Sequence, residues 1–151
     1  MRILIIEDDE NKREKVTAFI EGTLQPVHID AARSLQGALR MLTRQSYELV
    51  ILDMSMPTFD IGPDEHGGRF QQFGGREILR QMERRKIHLP FVVLTQFDRF
   101  EEGDEVVTLE ALDSQLRRSH PSAYMGSVYY NVTQERWKEE LMDFMINAAK
   151  E

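Results

Sequence analysis

Apolar residues fall in two rhythms along this chain. Short β-branched runs alternate with longer stretches in which apolar residues return every three or four positions. Arg2–Ile6 is too short for a helix and is bounded by acids, so it predicts a buried strand. Val16, Phe19, Ile20 and Leu24 recur at helical spacing between Asn11 and Leu24, and Pro26 stops that helix. Val27–Asp30 predicts a second strand, and Ser34 can cap a helix whose inner face is Leu35, Ala38, Leu39 and Leu42. Glu48–Asp53 (ELVILD) predicts a third strand, apolar except at its ends.

Residues 54–74 carry two prolines and four glycines without periodicity and predict a long loop. A helix over Glu77–Lys86 follows, with Ile78, Leu79 and Met82 inward, and then a fourth strand, Phe91–Thr95 (FVVLT). Residues 97–107 are acidic and irregular. Thr108 can cap a helix carrying Leu109, Leu112 and Leu116, which Pro121 ends. Tyr124–Tyr130 predicts the fifth strand. Thr133 is a candidate cap for a last helix with Trp137, Leu141, Phe144, Met145 and Ala148 on one side.

Strand then helix, five times, with strands apolar throughout, implies a parallel sheet covered on both faces. Right-handed crossovers leave the doubly wound, flavodoxin-like five-stranded (βα)5 order as the leading topology. No linker divides residues 1–151, so one domain is expected, with inserted loops near 57–74 and 97–107.

Composition narrows the function classes. There is no cysteine, which removes disulfides, thiol catalysis and zinc–thiolate sites and fits a reducing cytoplasm. The net charge is −7, a poor basis for binding nucleic acid directly, because phosphate contacts need clustered cations. The densest basic run, Arg84-Arg85-Lys86, reads as a solvated helix end. No stretch has the length of a membrane span, and the N-terminus lacks a signal-peptide core.

In an open parallel sheet, function gathers at the carboxyl ends of the strands. Glu7, Asp8 and Asp9 follow the first strand, Asp53 ends the third, and Thr95 ends the fourth. In the expected order these groups converge. Crowded carboxylates stay ionised only beside a positive charge, and an oxygen-rich site suits a hard cation such as Mg²⁺. A carboxylate such as Asp53 can act as nucleophile toward phosphorus, with Thr95 hydrogen-bonding a phosphoryl oxygen. Taken singly, each group also has a structural reading: acids after a strand cap helices, and a strand-ending threonine closes a turn.

Three segments carry a family resemblance: ILIIEDDE with Asp8-Asp9, VILDMSMP with Asp53 followed by Met56-Pro57, and VVLT ending in Thr95. Together they resemble the response-regulator receiver domains of two-component signalling, over nearly the whole chain. The resemblance implies Asp53 as phosphoacceptor. It implies Mg²⁺ held by Asp9, Asp53 and the backbone carbonyl of Ser55, with Asp8 helping through water, and Thr95 bonding the phosphoryl group. It also implies a histidine kinase or phosphotransfer protein as donor.

The chain departs from that family in four places. Receivers carry a lysine at the end of the fifth strand; here Tyr130 stands near that position, Asn131 follows it, and no lysine lies between Lys86 and Lys138. Arg69, Arg76 and Arg99 are candidate replacements for the cation. The residue after the threonine is Gln96 rather than a small one. The aromatic switch residue is missing near Ser127, where Tyr129 or Tyr130 could substitute. Both loops are longer than the family's. In the first, Phe70 and Phe73 could dock on a partner, fold over the pocket or pack on their own domain. His66, near Asp60, Asp64 and Glu65, reads as a solvated histidine or, less simply, a metal ligand. In the second, Glu101, Glu102, Asp104 and Glu105 read as a solvated acidic face.

The expected function is therefore a stand-alone cytoplasmic receiver, no enzyme beyond its own phosphorylation and dephosphorylation. It would signal through protein contacts to a downstream protein or a second copy of itself, with no direct nucleic-acid or membrane partner. A phosphorylation-independent pseudo-receiver that binds proteins is the alternative, favoured by the missing lysine and Gln96. A hydrolase of the aspartyl-phosphate kind on the same scaffold is a third reading, opposed by the short chain and the missing lysine.

Overall fold

The computed structural model describes residues 1–57, 70–71, 74–102 and 104–149. The chain runs through β1 (Arg2–Ile6), α1 (Glu10–Thr23), β2 (His28–Ala32), α2 (Leu35–Arg44) and β3 (Leu49–Leu52). Two short strands follow, β4 (Met56–Pro57) and β5 (Phe70–Gln71), and then α3 (Gly74–Arg84) and β6 (Phe91–Thr95). The last part comprises β7 (Arg99–Glu102), β8 (Glu105–Thr108), α4 (Leu109–Ser119), β9 (Tyr124–Tyr129) and α5 (Arg136–Ala149). Five strands form one parallel sheet in the order β2-β1-β3-β6-β9, the doubly wound arrangement that the alternation predicts.

Strand alternation sorts the core into two layers. Leu4, Ile6, Val50 and Leu52 face α2, α3 and α4, together with Leu39, Ile78 and Leu112. Ile3, Ile5, Leu49 and Ile51 face α1 and α5, against Val16, Ile20, Leu141 and Met145. Each such fully buried aliphatic side chain contributes about 1.5–3 kcal/mol of transfer free energy. Three helices begin on the expected kind of cap: Asp9 accepts from Lys12 N, Ser34 from Gly37 N and Thr108 from Ala111 N.

The structure corrects several local expectations. The acidic stretch after β6 is not irregular: β7 and β8 pair as an antiparallel hairpin that buries Phe100 and Val107. The preceding long loop contains an antiparallel pairing of Met56 with Gln71 and Pro57 with Phe70. Helix α3 starts at Gly74, before the expected Glu77, and there the chain closes on its own backbone. Gly75 N donates to Met54 O, and a side chain at Gly75 would meet Asp53 O at 3.0 Å. Thr133 does not cap α5; its backbone and hydroxyl both bond Asn131 Oδ1.

In β9 the pairing with β6 slips between Phe91 and Val92, leaving Met125 as a bulge residue before Gly126. Tyr124 consequently packs in the α2–α3–α4 layer, while Val128 and Tyr130 pack in the α1–α5 layer. Uninterrupted alternation would have put all three on one face.

Candidate functional site

The carboxyl ends of β1, β3 and β6 meet at one edge of the sheet. Asp53 N donates to Ile6 O at 3.0 Å, so the strand ends advance together and deliver Glu7 beside Asp53. Glu7 and Asp53 are both buried, 3% and 2% exposed, and Asp8 is partly buried. Glu7, Asp8 and Asp53 each offer a carboxylate oxygen, and these three atoms lie within 4.8 Å of one another.

This cluster lies one residue earlier than the expected Asp8-Asp9 pair. Asp9 is exposed and works as the N-cap of α1, its Oδ1 accepting from Lys12 N at 3.3 Å. Asp9 N in turn donates to Glu7 Oε2 at 3.1 Å, which holds the Glu7 carboxylate inward. The physical reason is the turn between strand and helix: the first acids after β1 point into the cleft, and the third must satisfy the helix end.

Crowding shows in the protonation equilibria. Burial, and secondarily the Asp53 charge, push the Glu7 carboxyl up to about 8, against the lowering pull of Lys12. Burial likewise raises Asp8, aided by Asp53 and Asp9. Asp53 Oδ1 accepts weakly from Ser55 N at 3.4 Å, while Asp53 Oδ2 is buried with no hydrogen-bond partner among the described residues. An unsatisfied buried carboxylate oxygen is costly and asks for a ligand. Three converging oxygens with neither nitrogen nor sulfur donors fit a hard divalent cation such as Mg²⁺. Ser55, two residues past Asp53 and buried, carries the backbone carbonyl expected as a further ligand.

Thr95 is fully buried at the end of β6. Its Oγ1 accepts from Phe97 N at 3.1 Å, and among the described residues no acceptor takes its hydroxyl proton. Tyr130 N donates to Thr95 O at 2.7 Å, and the buried Tyr130 ring packs on Trp137 with centroids 5.0 Å apart. Ser127 shares a hydrogen bond with the Tyr124 hydroxyl, which also bonds Asp113 on α4. Tyr129 is exposed and lines a cleft with Asp98, Asp113, Arg117 and Phe144, so the two proposed aromatic substitutes lie on opposite layers.

The cation of the site is one that sequence reasoning missed. Lys12, on the first turn of α1, is only 3% exposed. Its ammonium meets Glu7 Oε1 at 2.5 Å, Leu94 O at 2.8 Å, Gln96 Oε1 at 2.8 Å and Asp53 Oδ2 at 3.5 Å. It also lies 5.6 Å above the Tyr130 ring. Of the expected arginines, Arg76 binds Glu105 and Gln115, and Arg99 is exposed at the start of β7. Arg69 lies outside the described residues, as do Asp60, Asp64, Glu65, His66 and Phe73, and nothing is described of the Phe70 side chain. A signal for Lys12 was present: it continues the i, i+4 series of Val16 and Ile20, the buried stripe of α1. Arg13, its neighbour, donates to the carbonyls of Glu7 and Asp8 and ties down the same turn.

Known proteins resemble this chain in sequence and in fold. The profile of the response regulator receiver domain matches residues 3–122. The Detocs response regulatory protein DtcB of Enterobacter cloacae is 26% identical over 144 residues, covering 94% of this chain and 96% of that one. An uncharacterized protein, y4jR, of Sinorhizobium fredii is 28% identical, covering 91% of this chain and 92% of its own. Among solved structures, the receiver domain of a Francisella response regulator superposes with a TM-score of 0.65 at 16% identity, covering 99% of this chain and 96% of that one. TrrA of Thermotoga maritima, in complex with Mg²⁺ and BeF, superposes with a TM-score of 0.56 at 22% identity, covering 94% and 96%. At such identities the structural likeness speaks for the fold. With the sequence profile spanning most of the chain and the acids gathered at the carboxyl edge of the β2-β1-β3-β6-β9 sheet, this protein belongs to the response-regulator receiver family of two-component signalling.

Proposed function

We propose that this chain is a stand-alone receiver that accepts a phosphoryl group on Asp53, with Mg²⁺ held by Glu7, Asp8, Asp53 and the Ser55 carbonyl. The observation that carries this reading is the convergence of carboxylate oxygens from Glu7, Asp8 and Asp53, with Asp53 Oδ2 buried and lacking a hydrogen bond among the described residues. When bound, Mg²⁺ supplies positive charge for the incoming phosphoryl oxygens. A carboxylate oxygen of Asp53 then attacks phosphorus in line, the bond from phosphorus to the donor breaks, and the donor leaves with its electron pair. The Thr95 hydroxyl donates a hydrogen bond to a phosphoryl oxygen.

The phosphoryl donor would be a histidine kinase or phosphotransfer protein, and the signal would leave through contact with a protein partner, in the cytoplasm. The near end-to-end match with the DtcB proteins of Enterobacter and Vibrio supports a single receiver acting alone as a response regulatory protein. Among the described residues, no helix is long and apolar enough to cross a membrane. On this reading the chemistry is the phosphorylation and dephosphorylation of Asp53 itself.

Incubation with Mg²⁺ and acetyl phosphate, followed by intact mass, tests this reading. One added phosphoryl group is expected in the wild type and none in Asp53→Asn. The second reading, a phosphorylation-independent protein-binding module, is favoured by Gln96, a long polar residue whose amide oxygen accepts from the Lys12 ammonium at 2.8 Å. No mass gain together with no Mg²⁺ binding would establish it instead.

A further inference from the structure

The position where receivers carry their sheet lysine is held here by Tyr130, yet the space in front of that ring is not short of charge. The Lys12 ammonium occupies it, brought from the first turn of α1 rather than from the end of β9. An ammonium has three protons to donate. Glu7 Oε1, Leu94 O and Gln96 Oε1 all lie within 2.8 Å and take them, leaving Asp53 Oδ2 at 3.5 Å as the fourth neighbour. Asp53 Oδ2 is the same atom that lacks a hydrogen bond. Two of the three acceptors in use are neutral, so they hold the ammonium in place without quenching its charge. A lysine that served only to neutralise Glu7 would need neither of them, nor would it need to lie between Glu7 and Asp53.

We propose that Lys12 is the residue that anchors the phosphoryl group on Asp53, replacing the sheet lysine, and that Gln96 is the acceptor it releases to do so. This rests on reading Asp53 as the phosphoacceptor. When the Asp53 oxygen bonds to phosphorus and the donor departs with the electron pair, the single carboxylate charge gives way to a phosphoryl group carrying close to two. A charge-assisted bond from an ammonium to a phosphoryl oxygen is stronger than one to a neutral amide. The ammonium therefore exchanges Gln96 Oε1 for a phosphoryl oxygen, keeping Glu7 and Leu94 O as its tether. Gln96 heads the turn into β7, so the exchange reaches the segment that leads to the β7–β8 hairpin. It also accounts for a long polar side chain at position 96, where a small residue would leave the ammonium without its third acceptor.

The test uses the full chain with Mg²⁺ and beryllofluoride, a stand-in for the phosphoryl group, followed by calorimetric titration. Lys12→Met is expected to weaken beryllofluoride binding by about tenfold or more, the worth of a charged hydrogen bond. The same variant should lose far less affinity for Mg²⁺ alone than for beryllofluoride, since removing the ammonium takes a cation from beside Asp53 even as it lets the Glu7 carboxyl hold its proton more firmly. That split separates anchoring from a structural role, which would damage both. Adding Tyr130→Lys to Lys12→Met returns the lysine to the sheet and should recover most of the beryllofluoride affinity. A Lys12→Met protein with wild-type beryllofluoride affinity overturns the inference. If Lys12→Met does not fold, the wild type still decides: the Lys12 Nζ resonance must move when beryllofluoride is added to the Mg²⁺-loaded protein, and an unmoved resonance overturns it. Wild type that binds Mg²⁺ but no beryllofluoride overturns the role of Lys12 alone. Wild type that binds neither removes the reading of the site and, with it, this inference.

Discussion

Asp30 on β2 and Glu7 at the end of β1 belong to neighbouring strands, and their surroundings treat them in opposite ways. Asp30 is satisfied on every side: Tyr47 donates to Oδ2 at 2.7 Å, His28 meets Oδ1 at 3.0 Å, and Arg2 stands 3.8 Å away. The Tyr47 hydrogen bond, ahead of the His28 and Arg2 contributions, holds its carboxyl below the usual range. Glu7 is buried next to Asp53 and Asp8, and its carboxyl is driven up to about 8 despite direct contact with Lys12. The first acid is arranged for stability. The second is held in a cluster of three carboxylates that meets one ammonium, and such local conflict marks a functional site.

Four experiments sharpen or break that contrast. The largest effect is expected from Asp53→Asn, which removes the proposed phosphoacceptor outright and should also lower Mg²⁺ affinity by about tenfold or more. Asp30→Asn should change neither. Loss of Mg²⁺ binding in Asp30→Asn, read by calorimetry, would mean that the two acids are not separate systems.

Next comes pH. Glu7 has a raised carboxyl, so its contribution to stability is fully present below about 4.5 and is lost as pH rises through about 8. Mg²⁺ needs the ionised form, so its apparent affinity should rise by up to about tenfold per pH unit on approaching pH 8, where one proton is displaced. Asp30 runs the other way: its contribution is present above 3.8 and is lost as pH falls through its lowered value. An Mg²⁺ affinity that is flat from pH 6 to 8.5 would remove the account of Glu7.

Adding Mg²⁺ at about a hundred times its dissociation constant should stabilise the wild type by roughly 2.7 kcal/mol, seen as a rise in Tm. Asp53→Asn should show little of that rise. The smallest effect is Tyr47→Phe, which leaves Asp30 short of one hydrogen bond. It should cost about 1 kcal/mol in denaturant unfolding and leave Mg²⁺ binding unchanged.

Much of this molecule could be read in its residues. The apolar runs of β1, β3 and β6 and the periodic faces of α2 and α4 signal their elements directly, because burial on two faces or one imposes different spacings. Asp53 and Thr95 were legible as strand-ending residues of a doubly wound sheet. The hairpin over residues 99–108 was not, because its acids mask the apolar signal of its buried Phe100 and Val107. The bulge at Met125 hid the parity of β9, so Tyr129 and Tyr130 could not be assigned to faces from the sequence. Lys12 escaped because a lysine in the first turn of a helix is ordinarily solvated.

The sequence alone determined the order of elements, the sheet they form and the strand ends that carry acids, since hydrophobic spacing acts through local geometry. Only the tertiary structure decided which acids share the cleft, that Asp9 serves the helix end, and that the ammonium beside Glu7 and Asp53 comes from Lys12. Those outcomes depend on where separate segments meet and how deeply they are buried, and electrostatic coupling follows distance in space rather than distance along the chain.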